Sequence, residues 1–293
     1  MPELPEVETI VRGLQEVLPG KRIVHVRLIK TDFIDDPAAL ETSLPGSRIS
    51  SVRRHGKFIV VDFQSPNGAV GSFSLLIHLG MTGQIVVCSP QVPVARHTHV
   101  FFSLDDSREF RYADPRRFGS MQIVQKSARD DRLSELGIDA LEATVADFTA
   151  ILRNRRARIK ALLLDQRVLR GMGNIYTDES LWRARIHPMR IGATLKDTEV
   201  KRLHRAVHRV LNEAIRMRGS SVSDYVDSEG QPGEFQRWHR VYQREGKSCR
   251  RCGTSIRRAI AAGRSSYFCP RCQRAPRVPS TRRSKPAKRQ RHR

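Results

Sequence analysis

Four of the five cysteines crowd near the C-terminal end as "CRRC" and "CPRC", namely Cys249, Cys252, Cys269 and Cys272. Two C-x2-C knuckles separated by sixteen residues bring four thiolates within reach of one tetrahedral Zn2+, with a short hairpin between them. No other feature constrains the fold so tightly, because a finger of this size buries too little core to fold without its metal. The competing reading, a pair of disulfides, needs an oxidising compartment that nothing else in the sequence suggests. Cys88, at the end of the apolar run "QIVVC", is expected to be a buried structural thiol.

A cationic excess bounds the partners. The 293 residues carry 53 Lys and Arg against 30 Asp and Glu, a net charge of +23, with only 6% aromatics. Such a chain is expected to approach a polyanion electrostatically, and nucleic acid is the first candidate. Nine of the cations fall in Arg274–Arg293 beside no acid, which leaves +14 on the body. This Pro-rich tail is expected to be disordered. No apolar run reaches the roughly 18 residues of a membrane span, and glutamates stand where a signal peptide would be apolar. A protein of the reducing cytoplasm with no membrane partner is therefore expected.

Two textures divide the chain. From Lys21 to about Gln125, short β-branched runs such as "RIVHVRLI", "KFIVVDF", "FSLLIHLGMTGQIVV" and "HVFFSL" alternate between turn residues, as in an antiparallel sandwich or barrel. From about Leu141 the period becomes helical, in "VADFTAILRNRRARIKALLLDQ" and "DTEVKRLHRAVHRVLNEAIRMR". The expected class is α+β: an N-terminal helix and β-sandwich over 1–130, helices over 131–235, a zinc finger over 236–273 and the tail over 274–293. The stretch "GSSVSDYVDSEGQPGEF" reads as a mobile loop between helices and finger.

The opening "MPELPEVETI" admits three readings: a helix start, a processed terminus or a reactive one. Leu4, Val7, Ile10, Val11 and Leu14 share one helical face, and acids in a first turn oppose the helix dipole, which would account for Glu3, Glu6 and Glu8. Alternatively, loss of Met1 would leave Pro2 as a secondary amine whose ammonium form the dipole disfavours, and a neutral secondary amine is a nucleophile. Further along, "RGMGNIYTDESLW" sets Gly171 and Gly173 before Asn174, which is able to cap a helix whose N–H groups suit a phosphate, though a tight turn would explain the glycines as well. "HGKFIVV" puts Lys57 at a strand start, and "YADPRRFGSM" puts Arg116, Arg117 and Phe118 on a turn. Taken singly, Lys57 suits a solvated surface charge and Phe118 a core residue.

Together, "PELPEVET", "HGK", "HLGMTG", "DPRRFG", "LLLDQ", "GMGNIYTDE", "RIHP" and "AGRSSYFCPRCQ" make the chain resemble the formamidopyrimidine-DNA glycosylases, bifunctional repair enzymes for oxidised purines, from Met1 to about Gln273. The resemblance implies a β-sandwich, a helix-two-turn-helix domain and a zinc finger with one structural Zn2+. It implies a monomer acting on damaged duplex DNA. Pro2 would attack C1′, displace the base and form an iminium, from which β- then δ-elimination cleaves the strand. Glu3 would be the acid that helps open or protonate the sugar, with Glu6 behind it. Lys57 would be a proton donor and phosphate contact, and Arg264 a further donor and phosphate clamp. His97, Arg116, Arg155 and Asn174 fall where the family touches DNA. Met81, Arg116 and Phe118 match the residues that fill the hole left by the extruded nucleotide, and residues 219–235 would close over its base.

Two positions depart from the usual pattern: Glu234, where an aromatic is common, and Arg167, where Lys is usual. Two rival functions remain. A non-enzymatic zinc and helix-turn-helix DNA binder would have no use for Pro2, Glu3 and Lys57 together. An endonuclease VIII-like enzyme for oxidised pyrimidines would share the Pro2–Glu3 start, but "ELPEVE" and "DPRRFG" favour the purine enzyme.

Overall fold

The alternating runs form eight strands in two antiparallel sheets. In chain order, helix α1 (Leu4–Val17) precedes β1 (Ile23–Leu28), α2 (Pro37–Ser43), β2 (Arg48–His55), β3 (Phe58–Gln64), β4 (Val70–His78), β5 (Gln84–Cys88), β6 (Thr98–Leu104), β7 (Glu109–Ala113) and β8 (Ser120–Gln125). This computed structural model describes residues 2–64, 70–153 and 155–276, so most of the basic tail and its expected disorder lie outside the described residues. One sheet has the order β1-β6-β7-β5 and the other β2-β3-β4-β8. Their inner faces pack Ile59, Val61 and Phe63 against Val100, Phe102 and Tyr112, and alternation along each strand is what lets one face of a sheet bury its apolar residues. The outer face of the second sheet, at Val60 and Leu76, is covered by Leu133 of α3 (Lys126–Ser134).

The run "FSLLIHLGMTGQIVV", continuous in hydropathy, is broken between Leu79 and Gly83, and its halves enter different sheets as β4 and β5. Gly80 makes the break: its φ is +56°, and a Cβ there would stand 2.3 Å from the Phe118 backbone carbon. Cys88, expected in the core, is half-buried at the end of β5 and lines a cavity of about 310 Å³ with Val92, Ala95 and Val226. β5 is an edge strand, so its last residue has a neighbour on one side only.

Beyond α3, the two-residue strands β9 (Ile138–Asp139) and β10 (Leu169–Arg170) pair in parallel and flank α4 (Val145–Arg153) and α5 (Ile159–Leu164). The latter two arise from one helical-looking run, interrupted at residues 155–158, whose sequence "RRAR" offers no large apolar residue to bury. α6 (Asn174–Arg183) and α7 (Asp197–Arg216) complete a second core, in which Phe148, Leu152 and Leu163 meet Leu203, Val207 and Leu211. The finger hairpin is β11 (Arg257–Ala261) and β12 (Arg264–Phe268), joined by Ala262 and Gly263, both with positive φ, as a two-residue type I′ turn requires.

α1 belongs to both cores. Leu4 is buried among the helices, while Val7, Ile10, Val11 and Leu14 are buried in the sandwich. The Leu4 N–H donates to the Gly171 carbonyl at 3.0 Å. A buried charge cluster fixes this crossing: Arg54 of β2 bonds Glu8 of α1 at 2.7 Å and Asp139 of β9 at 2.6 Å. The start of the chain is thus held at the junction of the two modules.

Candidate active site at the module junction

The three N-terminal glutamates have different partners, and only Glu8 is spent on the charge cluster. Glu3 reaches across to α6, where its carboxylate accepts the N–H groups of Ile175 at 3.0 Å and Tyr176 at 3.3 Å. These are orphan donors of a helix start, so Glu3 supplies the cap. Gly173 precedes the helix, and a Cβ on it would lie 2.2 Å from the Glu3 carboxyl carbon. Asn174 therefore does not cap α6. It is the first helical residue, and its Nδ2 donates to the Ser265 carbonyl of the finger hairpin at 3.0 Å, because Glu3 already fills the space over the helix end.

Glu6 accepts the Glu3 N–H at 2.8 Å, the Ser220 N–H at 2.7 Å and the Tyr176 hydroxyl. Burial, and next the charge of Glu3, push its pKa up to about 7. Glu3 is also raised by burial, against the opposing pull of Lys57 and the two helix N–H groups. Lys57 sits in the tight Gly56-Lys57 turn between β2 and β3 and is only 9% exposed. Burial pushes its ammonium down, Glu3 and Glu6 hold it up, and Arg264 lowers it further.

Pro2 is buried beside this network, in a pocket lined with Glu6, Met81, Ile175, Ser220 and Tyr225. Next to it, Lys57, His78, Gly173, Asn174 and Arg264 line a cleft of about 480 Å³. Burial and then Lys57 push His78 down to about 4, so its ring is neutral near pH 7. Pro2, two carboxylates with raised pKa, a depressed lysine and an arginine converge here, a composition that suits acid–base chemistry near an anionic substrate.

The segment 219–235 forms one wall of the pocket, but it is anchored and not free. Tyr225 is buried in the sandwich core and its hydroxyl donates to the Glu6 carbonyl at 3.3 Å. Val87 N–H donates to Ser228 O at 3.2 Å, and the Gln84 amide donates to Asp224 O. The sequence expectation of a mobile loop missed these contacts because each partner is more than a hundred residues away.

Met81, Arg116 and Phe118 gather at the sandwich edge. Met81 and Phe118 are 40% and 58% exposed, which is unusual for large apolar side chains on adjacent turns, and the Arg116 guanidinium lies 4.4 Å over the Phe118 ring. Asp114, fully buried, holds the turn: it accepts the Thr82 hydroxyl at 2.6 Å, Arg116 N–H at 3.2 Å and Gly119 N–H at 2.9 Å. The His97 carbonyl accepts the Asp114 N–H at 3.0 Å, which brings His97 to the same edge. Arg155 stands apart, exposed between α4 and α5.

The four finger thiolates all lie within 4.8 Å of one another. A tetrahedron with Zn–S bonds of about 2.3 Å has edges near 3.8 Å, so the set fits one Zn2+. Trp182 Nε1–H donates to Cys249 Sγ at 3.4 Å, an outer-sphere bond that fixes the ligand. One structural Zn2+ belongs here, with no coordination position left for a substrate. Cys269→Ala should leave the finger without zinc, release Arg264 and weaken duplex affinity roughly tenfold or more. Metal content and a binding titration check this, and full affinity in a zinc-free variant would sink it.

Residues with no assigned role in the sequence dock the finger. Lys160, fully buried, bonds Asp178 of α6 at 2.8 Å and Ser265 O at 2.9 Å. Asp178 also accepts the Ser266 hydroxyl at 3.0 Å and Tyr267 N–H at 2.8 Å. Glu179 accepts the N–H groups of Arg240, Val241 and Tyr242, each at 2.9 Å. The sequence carries only a weak signal, since "NIYTDESLW" has no apolar stripe that would assign its acids to a solvent face; the structure buries Ile175–Trp182 throughout, and its acids are satisfied by buried partners.

The modules match known sequence families in chain order. Residues 1–121 match the formamidopyrimidine-DNA glycosylase N-terminal domain, residues 136–226 its H2TH domain, and residues 246–275 the zinc finger found in FPG and IleRS. Formamidopyrimidine-DNA glycosylases of Pelotomaculum thermopropionicum and Solibacter usitatus are 44% and 42% identical, each over 94% of this chain and 99% or 100% of their own length. Among solved structures, a Lactococcus lactis FPG mutant with Fapy-dG-containing DNA superposes with a TM-score of 0.85 at 30% identity. It covers 94% of this chain and all of its own. The L. lactis Fpg complex with abasic-site DNA gives 0.84 at 30% identity, over 93% of this chain and all of its own. A β-sandwich, an H2TH domain and a four-cysteine finger closing on one acid–base pocket define a zinc-finger DNA glycosylase. Within that class, the chain belongs to the formamidopyrimidine-DNA glycosylase family.

Proposed function

We propose that this protein is a bifunctional glycosylase and abasic-site lyase that removes oxidised purines, formamidopyrimidines and 8-oxoguanine, from duplex DNA. The observation that carries this reading is the position of Pro2: residue 2 is buried against Glu6, one residue from a carboxylate that also caps α6. With Met1 removed, the Pro2 amine attacks C1′ of the extruded nucleotide and the base departs. Glu3 supplies or relays the proton that opens the sugar, leaving an iminium. That cation acidifies the C2′ hydrogen, so β-elimination and then δ-elimination cleave the strand from the same adduct. Lys57 and Arg264, which line the same cleft, hold flanking phosphates and donate protons. Met81, Arg116 and Phe118 fill the vacated stack, while His97, Arg155 and Asn174 lie along the DNA path.

Relatives solved with Fapy-dG, carbocyclic 8-oxo-G and abasic-site DNA support the substrate class. An oxidised-pyrimidine complex is also known for L. lactis Fpg, so lesion preference is what needs measuring. The protein would act as a monomer on DNA in the cytoplasm. Among the described residues, no helix is long and apolar enough to cross a membrane. In single-turnover assays, 8-oxoguanine opposite cytosine should be excised at least about tenfold faster than thymine glycol, a barrier difference of about 1.4 kcal/mol. The reverse order would move the protein to the pyrimidine-type enzymes.

A further inference from the structure

Glu6 is buried, its carboxyl pKa is raised to about 7 and it touches the reaction pocket, yet its remaining partners point away from the substrate. Its carboxylate accepts the Tyr176 hydroxyl. The Tyr176 oxygen is 3.2 Å from Ser220 Oγ, and Ser220 Oγ is 3.1 Å from His239 Nε2. Tyr176 spends its proton on Glu6, so its oxygen accepts from Ser220, and Ser220 must accept from His239. The tautomer follows: Nε2 carries the proton, and every donor in the chain points toward Glu6. His239 is 5% exposed, but its other side lines a separate cavity of about 270 Å³ with Gln236, Tyr242, Arg244 and Lys247, large enough for several waters.

We propose that His239, Ser220 and Tyr176 form a proton path between this outer cavity and Glu6. This rests on the function proposed above, in which a base leaves as its neutral form and takes up one proton. A water-borne proton binds His239 Nδ1; the Nε2 proton moves to Ser220, the Ser220 proton to Tyr176, and the Tyr176 proton to Glu6. Each hydroxyl ends intact, Glu6 is recharged and His239 is left as the Nδ1–H tautomer. When elimination releases the C2′ proton, the same steps run backwards and restore the Nε2–H form.

The surrounding charges suit conduction by a neutral ring. Burial and then Arg244 push His239 down to about 4, and Arg237, Lys247 and Arg250 also line its cavity. At the inner end Glu6 is faced by Glu3 from its own helix, Lys57 from the β2–β3 turn, Tyr176 from α6, and Ser220 and Tyr225 from the pocket wall. Burial and the neighbouring Glu6 raise the Tyr176 pKa far above its usual range, so Tyr176 passes a proton on only as it receives another.

His239→Gln keeps a donor for Ser220 but has no nitrogen that can take up a proton. Its single-turnover excision of 8-oxoguanine should fall roughly tenfold or more, with zinc content and DNA affinity unchanged. His239→Ala opens the site to the outer cavity, and added imidazole should restore most of the lost rate. A His239→Gln protein that matches the parent from about pH 5.5 to 8.5 overturns the path. So does a slow His239→Ala protein that imidazole does not restore, because the histidine is then only packing. Borohydride trapping of the parent on the same DNA separates the two levels: no adduct removes the underlying function and the path with it, whereas an adduct with unaffected variants removes the path alone.

Discussion

A chain that retains Met1 should excise no 8-oxoguanine, cleave no abasic site and form no borohydride-trapped adduct, because the nitrogen of residue 2 is then an amide. The mature protein should begin at Pro2 by mass, and its adduct should map to that residue. Glu3→Gln separates the steps. Glutamine keeps one acceptor oxygen for the start of α6, where Glu3 uses both of its oxygens, and has no proton to transfer; general acid assistance is typically worth about 10² to 10⁴ in rate. Base excision should fall by that much, measured in a single turnover. An abasic site already exposes an aldehyde in equilibrium with the closed sugar, so condensation with the amine bypasses the lost acid and cleavage of abasic DNA should largely survive. If the glutamates served only to start a helix, both variants would lose a little stability and both reactions would decline slightly and together. Full excision with Met1 in place would refute the nucleophilic role of Pro2.

How much of this site could be read from the sequence depended on the separation of its parts. The zinc ligands are legible because two local spacings specify them, and metal geometry does the rest. The sandwich strands are legible because a half-buried strand writes its burial into alternate residues. Their division into sheets is not, since the break at Gly80 depends on how closely Phe118 approaches. Nor is the answer to why three glutamates open the chain. A first-turn acid is enough to satisfy a helix dipole, but Glu3 bonds residues more than 170 positions away, Glu6 bonds Ser220, and Glu8 bonds Arg54. Such contacts leave no period in the sequence. The same holds for the path through His239: four polar residues from three distant stretches have no common pattern until the fold brings them into line.

α6 carries the largest structural consequence, because one helix both receives Glu3 at its start and holds the finger by Asp178 and Glu179. Asp178→Ala would leave the Lys160 ammonium fully buried with the Ser265 carbonyl as its one remaining hydrogen-bond partner among the described residues, and would remove the acceptor for Ser266 and Tyr267. Breaking a buried pair by deleting one partner costs about 3 to 5 kcal/mol. For a chain of this size that corresponds to a melting temperature lower by roughly 5 to 8 °C. The functional loss should exceed what that fraction unfolded would explain at low temperature. β12 begins at Arg264 and is held to α6 through the next residues, so losing the Asp178 contacts frees the arginine that lines the cleft with Lys57. Strand cleavage in the cold should therefore drop, while zinc content stays near one per chain, because the four cysteines and the Trp182 bond to Cys249 are untouched. Replacing both charges, Lys160→Met with Asp178→Leu, removes the stranded ammonium and should recover most of the melting temperature. It restores no acceptor for Ser266 and Tyr267, so cleavage should stay low. If the double variant regains cleavage as well as stability, Asp178 is there for the ion pair alone and the hairpin finds its place without it.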